Sequence, residues 1–348
     1  MSMPLAPNPA SRRTGWAAGL FIAIFVLGVF YAKWDPYYLK AFYVASHHTL
    51  GASIVTGHHP GAPPVGLSAA IHYTVAYFKD IWIALVVGLL VGAGVQTLLP
   101  TDWLMRILGR RSVASRGIAL AAAVPSMMCT CCSAPIAVSL AKRQVSYGAI
   151  LAYWLGNPVL NPATIIFMGF VLGWNWALYR IVMGLLLVGT AAWLGDRWGK
   201  ANDLEAPPPV VDSEPPSFGR FLRVLGKLAA GLLPEYLVIV ALLGATRAWL
   251  FPAMSPALGH SLGLMLILAV AGTLFVIPTA GEIPIVQTLM GYGLGIGSAA
   301  TLMMVLPAIS LPSMAMVGQG LPKKLLLTIA LLVVLMGILT GLLAPLVL

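Results

Sequence analysis

The chain has 348 residues, of which 59% are hydrophobic and only 9% charged, and its net charge is +10. About a quarter of a soluble globular domain is charged, so this composition excludes that class and implies a polytopic membrane protein. The basic residues fall in short segments between apolar runs, which makes them a topology signal; no nucleic-acid partner is expected.

A segment must run for roughly 20 apolar residues to cross about 30 Å of hydrocarbon. Stretches at 15–32, 80–99, 147–172, 176–195, 229–250, 294–318 and 325–347 reach that length. The first follows Arg12 and Arg13 as a signal peptide would. It is too long for an ordinary signal core and no small-residue cleavage site follows, so it is read as a retained span. Residues 1–32 are therefore a cytoplasmic tail and first transmembrane helix, and 33–75 an extracytoplasmic loop. Between 196 and 227 lies a proline-rich cytoplasmic linker, with five of the ten acidic residues in 196–220.

Two further apolar runs, 117–141 and 261–291, contain prolines and small residues. If 117–141 crossed fully, Lys142, Arg143, Arg197, Lys200, Arg220, Arg223 and Lys227 would lie outside, against the positive-inside rule. If both runs instead dip in and turn back, 15 of the 20 basic residues are cytoplasmic. A shift of 149 residues then superposes "CTCCSAPIAV" (129–138) on "PTAGEIPIVQ" (278–287), and Pro158 on Pro307. Under the charge-derived topology the first hairpin enters from the cytoplasm and the second from outside. The expected fold is thus an all-α polytopic membrane protein with an inverted-topology repeat, 76–195 and 228–347. It has two re-entrant broken hairpins and an extra N-terminal span. The expected location is the cell inner (plasma) membrane, multi-pass, with the N-terminus cytoplasmic.

Proline breaks a helix and frees backbone amides and carbonyls, which a membrane tolerates only beside protein or a cavity. Two such breaks at corresponding positions point to a transport site. The first holds all three cysteines, Cys129, Cys131 and Cys132, in "MMCTCCSAP". Thiolates suit Cu(I), Zn(II) or a trivalent metalloid, so all three are candidate metal ligands, expected to converge at an unwound tip. Two other readings stand beside this one: buried thiols acting as small hydrophobes, and a Cys129/Cys132 redox dithiol in a transmembrane electron carrier. Glu282 is the one acidic residue in either hairpin and a candidate for proton coupling, or else a protonated acid bonded to freed backbone.

Asn157, Asn161, Ser310 and Ser313 flank prolines in "GNPVLNP" and "LPAISLPS". They either line the cavity or satisfy backbone groups left open there. Thr130, Pro135, Thr279 and Pro284 complete the candidate set, placed at matching positions by the 149-residue shift. Asp80, Glu235, Arg180 and Arg247 fall near span ends and read as interfacial anchors or ion pairs. All six histidines, His47, His48, His58, His59, His72 and His260, fall outside in this topology, and the two adjacent pairs are either metal-capturing or simply solvated.

The segment "CTCCSAPIAVSLAKRQVSYGAILAYWLGNPVLNP" resembles the signature of a large predicted permease family, formerly of unknown function, that includes organoarsenical efflux permeases. Its C-S-C-G-x-x-P pattern matches Cys129, Cys131 and Pro135; Thr130 stands for the serine and Cys132 for the glycine. The resemblance spans about 76–347 and also takes in "GE" at 281–282 and "SLP" at 310–312. It implies a permease, not an enzyme, some of whose relatives export trivalent arsenicals by thiol coordination. No cofactor is expected. The expected partners are the lipid bilayer and a small-molecule or metalloid substrate, with proton coupling and a homo-oligomer left open.

Overall fold

The computed structural model describes residues 9–54, 66–201, 217–250 and 261–348; at 9–18, 101–102, 199–201 and 247–250 the backbone alone is described. Among the described residues the chain is helical throughout, with no strand. Seven helical stretches are long and apolar enough to cross a membrane: Gly19–His47, Leu67–Thr97, Tyr147–Val171, Trp174–Trp198, Phe218–Thr246, Ile296–Val317 and Lys323–Val347. Their outer faces are what lipid requires. Leu327, Leu331, Leu335 and Leu339 recur every four residues along the last helix and are all exposed, a stripe that water would not tolerate.

The elements in order are α1 (Pro9–Val29), a π-helical turn (Phe30–Trp34), α2 (Asp35–His47), α3 (Leu67–Thr97), α4 (Thr101–Leu108), α5 (Val113–Ser126) and α6 (Thr130–Lys142). Then follow α7 (Tyr147–Val159), α8 (Pro162–Val171), α9 (Trp174–Ala201), α10 (Phe218–Leu250) and α11 (Leu262–Leu274). The chain closes with α12 (Glu282–Gly291), α13 (Ile296–Ala308), α14 (Leu311–Val317) and α15 (Lys323–Val347). Starts fall where a side chain can accept from the first free amides: Ser112, Ser146, Asn161, Ser261 and Ser310 each cap the helix that follows. Pro125, Pro158 and Pro307 each lie in the last turn of their helix, just ahead of a break.

The segment expected as a loop at 33–75 is corrected in two places. The helix runs on through the π turn to His47, and α3 begins at Leu67. Lys33, Asp35 and Lys40 depress the local hydropathy, and Pro36, just after the π turn, adds a further break signal although the helix continues past it.

Both short helix pairs double back. The Ser146 amide, just after α6, donates to the Leu108 carbonyl just before α5, at 3.1 Å, so the two ends of this stretch lie together. In the second pair, Gly272 of α11 packs on Val305 of α13, while Met265 meets Gly297 at the other end of the same two helices. The entrance to the first pair sits at the end of the bundle that holds Arg116, Arg143 and Asp196. The second opens at the opposite end, where Gln287 donates to the His48 carbonyl and His48 contacts the Phe170 carbonyl. The 149-residue shift carries α7 onto α13 from first residue to last, and the starts of α8 and α9 onto those of α14 and α15.

Two glycines set the distance between α3 and α6. A Cβ on Gly88 would fall on the Cys132 carbonyl oxygen, and one on Gly92 would lie 2.9 Å from the Pro135 carbonyl oxygen. The small residues bring the two backbones into contact and hold the cysteine-bearing half-helix against α3.

Candidate functional site

The two breaks meet in the middle of the bundle. At the first, α5 ends on Met127, whose φ of 48° is left-handed, and α6 starts after Cys129. Asn157 closes this gap. Its Oδ1 accepts from the Met128 amide at 3.2 Å and from the Ser126 hydroxyl, while its Nδ2 donates to the Tyr153 carbonyl at 2.8 Å. The Trp154 indole donates to the Thr130 carbonyl at 3.0 Å. Two side chains of α7 thus bond the backbone around the break, Asn157 satisfying the Met128 amide and Trp154 the Thr130 carbonyl.

The three thiols, all buried and free, do not converge as expected. Cys129 caps α6, its sulfur 3.4 Å from the Cys132 amide and 2.9 Å from the Cys132 sulfur. Cys131 points the other way, 3.6 Å from the Ser310 hydroxyl, and faces the hydroxyls of Tyr77 and Tyr236, which bond each other at 2.7 Å. Among the described residues no group of three His, Cys, Asp or Glu side chains is arranged to hold a metal ion. The expected three-thiol ligand set is therefore corrected to a pair plus a single thiol. The cause is local: α6 is helical from Thr130, so its periodicity sends Cys131 to a different face from Cys132.

At the second break, Phe275–Gly281 leads from α11 into α12, and Ala280 takes a left-handed φ of 65°. Tyr73 donates its hydroxyl to the Val276 carbonyl. Glu282, first in α12, accepts a 2.8 Å ion pair from Arg180, both side chains almost wholly buried. Arg180 was expected as an interfacial anchor or part of an ion pair; it is no anchor. The nitrogen that pairs with Glu282 also donates to the Met303 carbonyl at 3.3 Å, and the other two donate to the carbonyls of Pro158 at 2.9 Å and Val159 at 3.0 Å. The cation that compensates Glu282 thereby also satisfies the frayed C-terminal end of α7. Nor does Glu282 bond freed backbone as a neutral acid would: Oε1 faces the guanidinium, and Oε2 accepts no hydrogen bond from a described residue.

The remaining candidates divide into lining and framework. Between the tips lies a cavity of about 10 Å³ bounded by Cys129, Thr130, Pro158, Thr279, Glu282 and Pro307, among others. Asn161 caps α8 through the amides of Ala163 and Thr164, and its buried Nδ2 has no partner among the described residues. Ser310 forms a reciprocal cap with Ser313 at the start of α14. Pro135 lies in α6 on the face that Gly92 approaches. Pro284 instead borders a second cavity of about 290 Å³, lined also by Tyr37, Lys40, Asp80 and residues 278–281. Residues 278–280 are the wall between the two cavities.

One participant was missed. Lys33, read as the start of a loop, is 3% exposed and donates from Nζ to the Thr279 hydroxyl at 3.0 Å and to the Tyr37 hydroxyl at 3.2 Å. The available signal was a lone lysine directly after an apolar run. Of the other charged candidates, Asp80 and Glu235 are exposed. The Arg247 side chain lies outside the described residues, as do His58, His59 and His260. His47, His48 and His72 are exposed.

A family model described as "Predicted permease" matches residues 62–157 and 128–346. The chain is 43% identical over 329 residues to UPF0718 protein YraQ of Escherichia coli (strain K12), covering 94% of each chain. It is 22% identical over 335 residues to UPF0718 protein MJ0584 of Methanocaldococcus jannaschii, covering 76% of this chain and 92% of that one. No solved structure matches. With seven candidate membrane spans and a family model that covers most of its length, this chain is a multi-pass membrane protein and belongs to the predicted permease family.

Proposed function

We propose that the protein is a secondary transporter that moves a small thiophilic substrate, a trivalent organoarsenical or a soft metal ion, by alternating access. The observation that carries this is the meeting of two oppositely directed interrupted helix pairs on a cavity of about 10 Å³, one bringing Cys129, whose sulfur lies 2.9 Å from that of Cys132, and the other a carboxylate. That space suits little more than one water. A substrate therefore enters only when the tips part. The 290 Å³ chamber behind residues 278–280 is the route from one end of the bundle, and the charge distribution makes that end extracytoplasmic. In this reading the fold is an inverted-topology repeat with two re-entrant hairpins, in a bacterial-type inner membrane, with the N-terminus cytoplasmic.

Cys129 and Cys132 are the substrate ligands in this scheme. Thr130, Thr279 and Glu282 bound the cavity, and Asn157, Asn161 and Ser310 hold the broken backbone open around it. Transport in everted vesicles tests this: Cys129→Ser and Cys132→Ser should each abolish uptake of the thiophile, and unchanged flux would remove the ligand role.

The 2.9 Å approach of Cys129 and Cys132 supports a second reading, a thiol-disulfide carrier passing electrons across the bilayer. It requires a reversible disulfide between these two residues. Alkylation with a mass tag before and after reductant separates the readings, since a pair that stays reduced under every growth condition cannot carry electrons.

A further inference from the structure

Lys33 lies outside both repeated halves, yet its side chain ends at the junction of the two tips. The turn that carries it, Phe30–Trp34, is π-helical. A π turn adds a residue to the helical repeat and so rotates one position inward; Tyr31 and Trp34 remain exposed while Lys33 is buried. Such turns weaken backbone geometry and concentrate at functional sites.

The charges at this junction do not balance without the thiols. Glu282 is already neutralised by Arg180 at 2.8 Å. Among the described residues Lys33 has two hydroxyl partners, Tyr37 and Thr279, and Thr279 lines the same cavity as Cys129. A buried ammonium without a counter-charge is strongly disfavoured, so the missing negative charge belongs to the thiols or to what they bind.

Candidate thiophiles differ in this respect. When a monovalent soft cation binds, two S–H bonds break, two sulfur–metal bonds form and two protons leave, so the complex carries one negative charge. When a monosubstituted trivalent arsenic dihydroxide binds, two S–H and two As–OH bonds break, two As–S bonds form and two waters leave, so the complex is neutral. A divalent cation on two thiolates is neutral as well, and the third thiol that would change this is turned toward Ser310. Only the first case cancels Lys33.

We propose, building on the transport reading above, that Cys129, Cys132 and Lys33 form a site for a monovalent soft cation of the Cu(I) or Ag(I) kind, held as a dithiolate whose counter-charge is the Lys33 ammonium. Both sulfur ligands are soft, as that ion class prefers. The sulfurs must open from 2.9 Å to roughly 4.6 Å, twice a metal–thiolate bond of about 2.3 Å. The Cys129 cap that resists this is a single long contact of 3.4 Å.

The test is calorimetric titration of the reduced full-length protein in lipid nanodiscs. The two probes are silver nitrate in chloride-free buffer and, separately, phenylarsine oxide. The expected result is one silver ion per chain, lost in the Cys129→Ser/Cys132→Ser double variant. Lys33→Met should shift the ratio of the two affinities at least tenfold toward the arsenical, and Lys33→Arg by less than threefold. Should Lys33→Met fail to fold, Tyr37→Phe/Thr279→Val, which keeps the ammonium but removes both hydroxyls that position it, should shift the ratio at least threefold the same way. An unmoved ratio in the folded variant overturns the role of Lys33 while leaving the thiol site standing. Absence of binding by either probe to the unmodified protein, or binding indifferent to both serines, overturns the thiol site itself.

Discussion

Replacing Arg180 by methionine removes a cation that does four things at once. It pairs with Glu282 at 2.8 Å, and it donates to the carbonyls of Pro158, Val159 and Met303. Both charged side chains are buried to within 2% of complete exclusion, so solvent cannot take over either half. Removing one partner of a buried pair costs about 3–5 kcal/mol, mostly because the other charge is left uncompensated. Orphaning carbonyls adds about 1–3 kcal/mol for each that finds no new partner. Arg180→Met should therefore lose at least about 3 kcal/mol. The Arg180→Met/Glu282→Met double variant should recover a large share of that loss, since no charge is stranded. The measurement is reversible unfolding in mixed micelles of the unmodified chain, both single variants and the double, giving a complete cycle. A single-variant loss below about 1 kcal/mol, or singles whose effects simply add in the double, would refute the argument that this pair fastens the second tip to α7 and α9.

Three further predictions concern the backbone at and near the tips. Asn157→Ala strands the Met128 amide and should cost about 1–3 kcal/mol in the same unfolding assay, with Asn157→Asp failing to rescue it because a buried carboxylate oxygen then faces the Tyr153 carbonyl, acceptor against acceptor. Ala280→Gly relieves a left-handed residue with a side chain and should stabilise by about 1 kcal/mol; a loss of stability would mean the Ala280 methyl is needed where it sits. Gly88→Ala places a Cβ on the Cys132 carbonyl and should cost about 1–3 kcal/mol through separation of α3 and α6, read as reduced monodisperse yield in detergent; normal yield and stability would contradict so close an approach.

The interrupted pairs were legible because two independent signals agreed: the basic residues at 142–143 and 323–324, and the 149-residue register that the helix boundaries reproduce. Charge balance counts residues over whole loops and tolerates small errors in where a helix ends. The site was harder to read. Arg180 and Lys33 each stand alone beside an apolar run, and that pattern in sequence is shared by interfacial anchors and buried partners alike. What distinguishes them is tertiary: Arg180 meets Glu282 across 102 residues, and Lys33 meets Thr279 across 246. The division of the thiols was hidden for a related reason. Cys131 and Cys132 are successive residues of α6, which is helical from Thr130, so they point to different faces, while Cys129 at the cap comes back to Cys132.

The glycine contacts on α3 have a mechanical consequence. The 149-residue shift carries Gly88 to Leu237, which is 51% exposed, and Gly92 to Ala241, so α10 has no glycine pair at the corresponding place. It packs instead on α3 and α14. The thiol-bearing tip is therefore packed backbone to backbone against a 31-residue helix. Its counterpart is tethered by individual side chains, Tyr73, Lys33 and Arg180. The first tip is thus held by backbone packing, which a single larger side chain at Gly88 or Gly92 would disturb, and the second by bonds that can be removed one side chain at a time.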